Sequence, residues 1–252
     1  MKVGQTILWG VLGLLVFAIA FITHLPAGFV IKQAQSQLPP GLVLSQSQGT
    51  IWQGQAQMQW QGQDLGRVVW DIHAWALLTA KLAADVQWHL AGESLAAEIE
   101  VGQNQADIRI PQGQINLTQA AGPWRDEFFF LRGLQGDVHF RDFATHIDFV
   151  QGWPQSVSGK MVVTDFNAMD IRFSQLELTP IQAQPGQAIA IDIQAEDNGW
   201  RLNGDATLTS PNRFQYQLEL NADSAQSFPE WAGMMMRKTS DTQATAQKRG
   251  QW

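Results

Sequence analysis

Apolar and polar residues alternate with a period of two along most of this chain. Ala56, Met58 and Trp60 alternate with Gln55, Gln57, Gln59 and Gln61. Val68, Trp70 and Ile72 share one face, with Arg67 and Asp71 on the other. Leu82, Ala84, Val86, Trp88 and Leu90 continue the pattern, as do Leu95, Ala97, Ile99 and Val101. It returns at Ala106–Ile110, Leu134–Phe140, Ile189–Ile193, Trp200–Leu208 and Phe214–Leu220. Successive side chains of a strand point to opposite faces, so each run predicts a half-buried strand. Turn residues separate the runs: Gly62, Gly92, Gly102, Pro111-Gln112-Gly113, Pro185-Gly186, Asn198-Gly199 and Pro211-Asn212. Asn198-Gly199 fits a two-residue hairpin, because both residues tolerate positive φ. A spacing of about ten residues predicts a mainly β fold of about twelve strands, one long curled antiparallel meander. Three stretches break the alternation and are expected as short crossover helices: Ala74–Ala80, Gln119–Arg132 and Pro229–Arg237.

The first thirty residues follow another pattern. No acidic or basic residue occurs from Val3 to Ile31, and Ile7–Leu25 is a run of nineteen largely apolar residues. About 20 helical residues span a bilayer core, so the run is long enough for one transmembrane helix. Trp9 sits near one end, where interfacial indoles are common, and Pro26 ends the helix. The rival reading is a signal peptide cut after Ala18-Ile19-Ala20, but the apolar run continues through Phe21 and Ile22. A buried core helix is a third reading. The short N-terminal flank with Lys2 favours an N-terminus inside the cytoplasm, and either leader exports the body. The expected layout is a cytoplasmic N-terminus (1–6), a transmembrane helix (7–25), a Gln/Ser/Pro-rich linker (26–47), a β domain outside the cytoplasm (48–236) and a disordered basic tail (237–252).

Charge sharpens this division. The chain has 252 residues and a formal net charge of −7. Residues 33–236 hold ten cations against 22 acids, while Arg237, Lys238, Lys248 and Arg249 make the tail basic. An acidic body without a basic stripe argues against nucleic-acid binding. There is no cysteine, which excludes disulfides, thiolate nucleophiles and Cys-ligated metals. Glutamine occurs 32 times, mostly on the polar strand faces, which are therefore hydrated but weakly repulsive. Edge strands of such a sheet need cover or a partner.

Catalytic motifs are missing. There is no GxSxG elbow, no phosphate-binding glycine loop and no HExxH pair. His139 and His146 could approach across a hairpin beside Asp137, Asp142 and Asp148, but solvated strand positions are the plainer reading. Glu98 and Glu100 share a face, with no cation expected opposite them. No catalytic residue, cofactor or metal is therefore assigned. Trp60, Trp70, Val86, Trp88 and Trp200 fall on the apolar face. They serve either as core or as the lining of a groove for a lipid or a partner strand.

The most specific local pattern is Gly49-Thr50-Ile51-Trp52-Gln53-Gly54, followed by Leu65-Gly66-Arg67-Val68-Val69-Trp70. With the apolar leader and Pro39-Pro40-Gly41, it resembles the protein N family of the type II secretion system (the GspN family). Gly133-Leu134-Gln135-Gly136 and Val157-Ser158-Gly159-Lys160-Met161 also fit. The resemblance implies one inner-membrane helix, a β-rich periplasmic domain and an accessory, non-catalytic role in exporting folded proteins across the outer membrane. It implies other secretion components as partners: the inner-membrane proteins C, L and M, and the secretin D. Gly49, Trp52, Gly54, Leu65, Gly66 and Trp70 are structural residues on this reading. The alternative is a lipid-handling periplasmic protein like the AsmA-like bridges, with an apolar groove lined by Trp60, Trp70, Val86 and Trp88. A periplasmic enzyme would need a polar cleft that the sequence does not offer.

Overall fold

A computed structural model describes residues 17, 21, 23–38, 40–90, 92–122, 133–168, 171–181, 188–210 and 212–251. The strands are β1 (Leu42–Gly49), β2 (Gln53–Trp60), β3 (Gln63–Ile72), β4 (Leu82–Leu90), β5 (Glu93–Val101), β6 (Gln105–Asn116) and β7 (Gln135–Asp148). They continue with β8 (Trp153–Ala168), β9 (Ile171–Ile181), β10 (Ala188–Asp197), β11 (Trp200–Thr209), β12 (Arg213–Ala222), β13 (Arg237–Lys238) and β14 (Gln243–Gln251). All fourteen form one antiparallel sheet in chain order, except that β14 lies between β12 and β13. The sheet is not closed. The meander expected from the alternation is therefore present, with two more strands than the alternation suggested.

The register explains why these residues pair as they do. One apolar row crosses the sheet without a polar interruption. It runs Ala56, Val68, Trp88, Leu95, Gly113, Phe140, Met161, Leu178, Ile193, Gly204, Leu218 and Ala246, from β2 to β14. A slip of one residue in any strand would turn its apolar set to the wet face. The Asn198-Gly199 turn fixes the β10–β11 register by pairing Asp197 with Trp200.

Two stretches read as unstructured in the sequence are strands. The expected linker holds a helix, α1 (Ala27–Ala34), a 3₁₀ turn (Gln35–Gln37) and all but the last two residues of β1. Leu42 and Leu44 begin an alternation that breaks at Gln46, where φ is +49° and the β1–β2 register shifts. That bulge hides the strand from a period-two search. The tail expected to be disordered forms β14, which pairs along β12 from Gln243–Asn221 to Gln251–Arg213. Its inward residues are too small to give a hydrophobic signal, yet they fit large partners. Ala244 faces Leu220, Ala246 faces Leu218, and Gly250 faces Phe214. Crossovers occur as a 3₁₀ turn at Ala74–Thr79, α2 (Leu117–Ala120) and α3 (Glu230–Met235). Most of the expected Gln119–Arg132 helix lies outside the described residues. No helix among the described residues is long and apolar enough to cross a membrane. The expected span Ile7–Leu25 falls mostly outside them, although Phe17 and Phe21 are helical and exposed.

Burial is uneven along the sheet. The main core lies in the second half, where α3 lays Trp231 and Ala232 on the apolar face of β10, β11, β12 and β14. Trp200 and Trp231 meet edge to face at 5.6 Å, and Phe173 approaches both at 5.7 Å. Leu220 at the centre is fully buried. In the first half, Trp60, Trp70, Val86 and Trp88 are only half-buried.

Deleting residues 239–252 should remove the ladder along β12 and expose Leu220, costing at least about 2–3 kcal/mol. Urea unfolding of the truncated chain should show a clearly lower midpoint. An unchanged midpoint would mean that the tail has no structural part.

Candidate functional site

The glycine–tryptophan pattern builds two backbone locks. Thr50 Oγ1 accepts from the N–H of Gln53 at 3.1 Å and of Trp52 at 3.3 Å, which shapes the β1–β2 turn. Gly49 and Gly54 face each other across that turn. Trp70, opposite Gly54 on β3, lays its indole over the glycine and donates from Nε1 to the Ile51 carbonyl at 3.0 Å. A Cβ on Gly54 would stand 2.6 Å from the ring. Trp52 is half-buried, and its carbonyl accepts from Ile72 N–H at 2.5 Å.

The same device recurs one hairpin later. Trp88 donates from Nε1 to the carbonyl of buried Leu65 at 2.5 Å. Gly66 has φ +84°, and a Cβ there would lie 2.0 Å from the His89 carbonyl oxygen. Asp64 Oδ1 accepts the Gly66 N–H at 2.8 Å and holds the bulge. The register shift opposite Gln57–Gln59 is the reason a glycine is needed here. Gly136 and Gly159 in the later matching stretches likewise face the Asp165 and Asp142 bulges. Gly54, Gly66, Gly136 and Gly159 thus each sit against backbone of a neighbouring segment, and Trp70 and Trp88 each bond to a backbone carbonyl.

The structure groups only some of the expected groove residues. Trp70 pairs with Val86, and Val68 with Trp88, so these lie side by side on β3 and β4. Trp60 sits at the β2–β3 hairpin opposite Leu42. Trp200 belongs to the buried cluster in the second half. Leu220 of that cluster belongs to the Phe214–Leu220 alternation, whereas Phe173 and Trp231 lie outside the period-two runs, Trp231 being carried by α3.

The polar face carries paired charges across the strands from β3 to β7. Cross-strand register sets Asp71, Asp85 and Glu98 in line, and Glu100 opposite Asp107. Like charges placed this way repel. Each of the last four has a cationic or titratable neighbour: His73–Asp85 at 3.1 Å, Arg109–Glu98 at 3.0 Å, Lys81–Glu100 at 2.5 Å and His146–Asp107 at 2.7 Å. Gln53 donates to Asp71 at 2.8 Å. Glu98 and Glu100 therefore do have cations beside them, contrary to the sequence reading. The register brings Arg109 and Lys81 from other strands, which spacing along one strand cannot show. The hydrogen bond and charge of Glu100 raise the Lys81 pKa above its usual value.

This face borders a shallow concavity of about 600 Å³ that also reaches Ser156 and Ser158. Asp107, His146 and Ser156 are register partners on β6, β7 and β8. Among the described residues no hydrogen bond joins Ser156 to His146, whose Nδ1 meets Asp107 Oδ1 at 2.7 Å. His139 and His146 do not meet across a hairpin. Both lie on β7, seven residues and about 23 Å apart at strand rise. His139 pairs instead with Thr164 at 3.2 Å. No group of three or more His, Asp or Glu able to hold a metal occurs among the described residues.

These features define a class: an open antiparallel sheet whose recurring glycines and tryptophans serve the backbone, and whose charges are paired across strands. Comparison with known sequences narrows it further. The chain belongs to the family of type II secretion system protein N, whose family model matches residues 40–237. It is 42% identical over 81 residues to type II secretion system protein N of Vibrio cholerae serotype O1 (strain ATCC 39315 / El Tor Inaba N16961). That stretch is 32% of this chain and 31% of the relative, so the match spans about a third of the relative's length. No solved structure gives a significant match. The family resemblance read from the glycine–tryptophan strands is thus confirmed, and membership points to an accessory component of type II secretion.

Trp70→Ala should cost about 3–5 kcal/mol, and Gly66→Ala about 1–3 kcal/mol, in urea unfolding. Glu98→Gln should change stability by less than about 1 kcal/mol, because the pair is exposed. A Trp70→Ala chain of unchanged stability would make Trp70 a contact residue instead of a lock.

Proposed function

We propose that the chain is a non-catalytic, inner-membrane-anchored component that supports export of folded proteins from the periplasm by docking other secretion proteins. The family match over residues 40–237 carries this reading. Three further observations support it. Among the described residues the polar face sets Asp85, Glu98, Glu100 and Asp107 beside His73, Arg109, Lys81 and His146, an arrangement suited to a hydrated contact face. Edge groups are available: β13 covers only Ala244 and Thr245 of β14, and the residues from Ala246 onward have β12 alone as a strand neighbour. The apolar run Ile7–Leu25 supplies a membrane anchor. The partners are other components of the same apparatus, the inner-membrane proteins C, L and M first and the secretin D second. Strand addition at an edge is the contact mode that such a sheet offers.

One observation favours a second reading. Trp60, Trp70, Val86 and Trp88 are half-buried, while the second half of the sheet is capped by α3. An apolar groove for lipid on the first half would place the chain nearer to the AsmA-like bridges. Lipid co-purifying with the chain, and lost in a Val86→Glu variant, would favour that role.

Deleting the gene should lower the secreted fraction of exported enzymes and the level of at least one platform protein. Restoring the full chain should recover both. Unaltered secretion together with unaltered platform levels would remove the support for a secretion role.

A further inference from the structure

The antiparallel order places alternate connections at the same end of the sheet. The β1–β2, β3–β4, β5–β6 and β7–β8 turns share one rim. Register ties them together through Gln53–Asp71, Ile72–Ala84, Leu82–Val101, Val101–Ala106 and Gln105–Asp148. Phe149 N–H also donates to the Asn104 carbonyl at 2.8 Å, linking the last two turns.

Two turns of this rim, β3–β4 and β7–β8, expose large apolar side chains. Trp75 is 69% exposed, Val150 78%, Phe149 51% and Leu77 48%, with Leu82 beside them. The turns that hold them are well built. Asp148 Oδ1 accepts from Val150 N–H at 2.7 Å and Gln151 N–H at 3.2 Å, so Val150 is held outward. Thr79 Oγ1 donates to the Ala76 carbonyl at 2.8 Å, and buried Ala76 anchors the turn that carries Trp75. His73 stacks on Trp75 at 6.1 Å. Clusters of large apolar side chains held out to water mark protein or membrane contact sites.

The chain itself indicates which surface. The Leu25 carbonyl accepts from Ile51 N–H at 3.0 Å, and Pro26 bridges Thr50, both at this rim. The nineteen-residue apolar run therefore joins the sheet at the end that carries these side chains. Phe29, one helical turn beyond Pro26, is exposed there too. Val43, Met234 and Met235, also exposed, lie toward the opposite end.

We infer that the rim formed by Trp75, Leu77, Leu82, Phe149 and Val150 is a lipid-contacting edge that seats the sheet on the bilayer entered by residues 7–25. The two turns stand four strands apart, about 19 Å at usual strand spacing, so together with the anchor they give three points of support. Trp75 sits at headgroup depth, as interfacial indoles do, and the aliphatic tips reach the acyl boundary. The strands then rise from the membrane surface, and the end bearing Met234 points away. This inference rests on the membrane-anchor reading.

The absence of cysteine allows single-site spin labels on the full chain in vesicles of phosphatidylethanolamine and phosphatidylglycerol. Labels at Leu77→Cys, Val150→Cys, Met234→Cys and Ala18→Cys would be compared by their accessibility to oxygen against a nickel chelate. The Leu77 and Val150 labels should give a ratio at least about threefold above Met234, with Ala18 higher still. A lipid-buried Ala18 label with Leu77 and Val150 as aqueous as Met234 overturns the rim and leaves the anchor standing. An aqueous Ala18 label overturns the anchor. Rim labels that leave water only when another secretion protein is added would assign the surface to that protein and overturn lipid contact.

Discussion

An unbroken apolar row links Ala56 on β2 to Ala246 on β14, and every strand between is held in register by keeping its residue in that row. Bulges at Gln46, Asp142 and Asp165, and the one at Leu65–Gly66, absorb the places where strand lengths disagree. The glycines and tryptophans of the first hairpins do the same work locally. They let an indole lie flat over backbone and tie its N–H to a neighbouring carbonyl. An indole buried without such a bond would lose much of what its area gains.

A one-faced sheet must hide that face, and the two halves do so differently. In the second half, α3 and the small residues of β14 close over Leu220, Leu202 and Trp200. The first half has no comparable lid among the described residues, and its tryptophans remain half-buried. Its polar face has the opposite character. Of the carboxylates aligned by register, Glu98 and Glu100 have Arg109 and Lys81 beside them, while Asp85 and Asp107 lie within hydrogen-bond distance of His73 and His146. Exposed pairs of this kind add little stability, but they relieve repulsion that would oppose pairing. The second half is capped by α3, while the first half carries the two turns that expose Trp75, Leu77, Phe149 and Val150.

Much of this was legible in the sequence, and what was not has definite physical causes. Period-two runs located β2 to β7 and β10 to β12 because their apolar residues are large. β14 escaped because Ala244, Ala246 and Gly250 have almost no hydrophobic amplitude, although each fits a large partner on β12. β1 escaped because a positive φ at Gln46 breaks its alternation. The charge pairs escaped because Glu98 and Arg109 are eleven residues apart, and only the strand register makes them neighbours. The resemblance to the secretion family was readable because it rests on two short glycine–tryptophan stretches, Gly49–Gly54 and Leu65–Trp70.

Photocrosslinking in intact cells reads the proposed contacts most directly. A photoreactive side chain at Arg249 on β14, and another at Val43 on β1, would probe strands near the two ends of the strand order. The docking role predicts adducts containing inner-membrane components of the secretion apparatus, lost when those components are deleted. Adducts to lipid alone, or none with any secretion protein from either position, would contradict it.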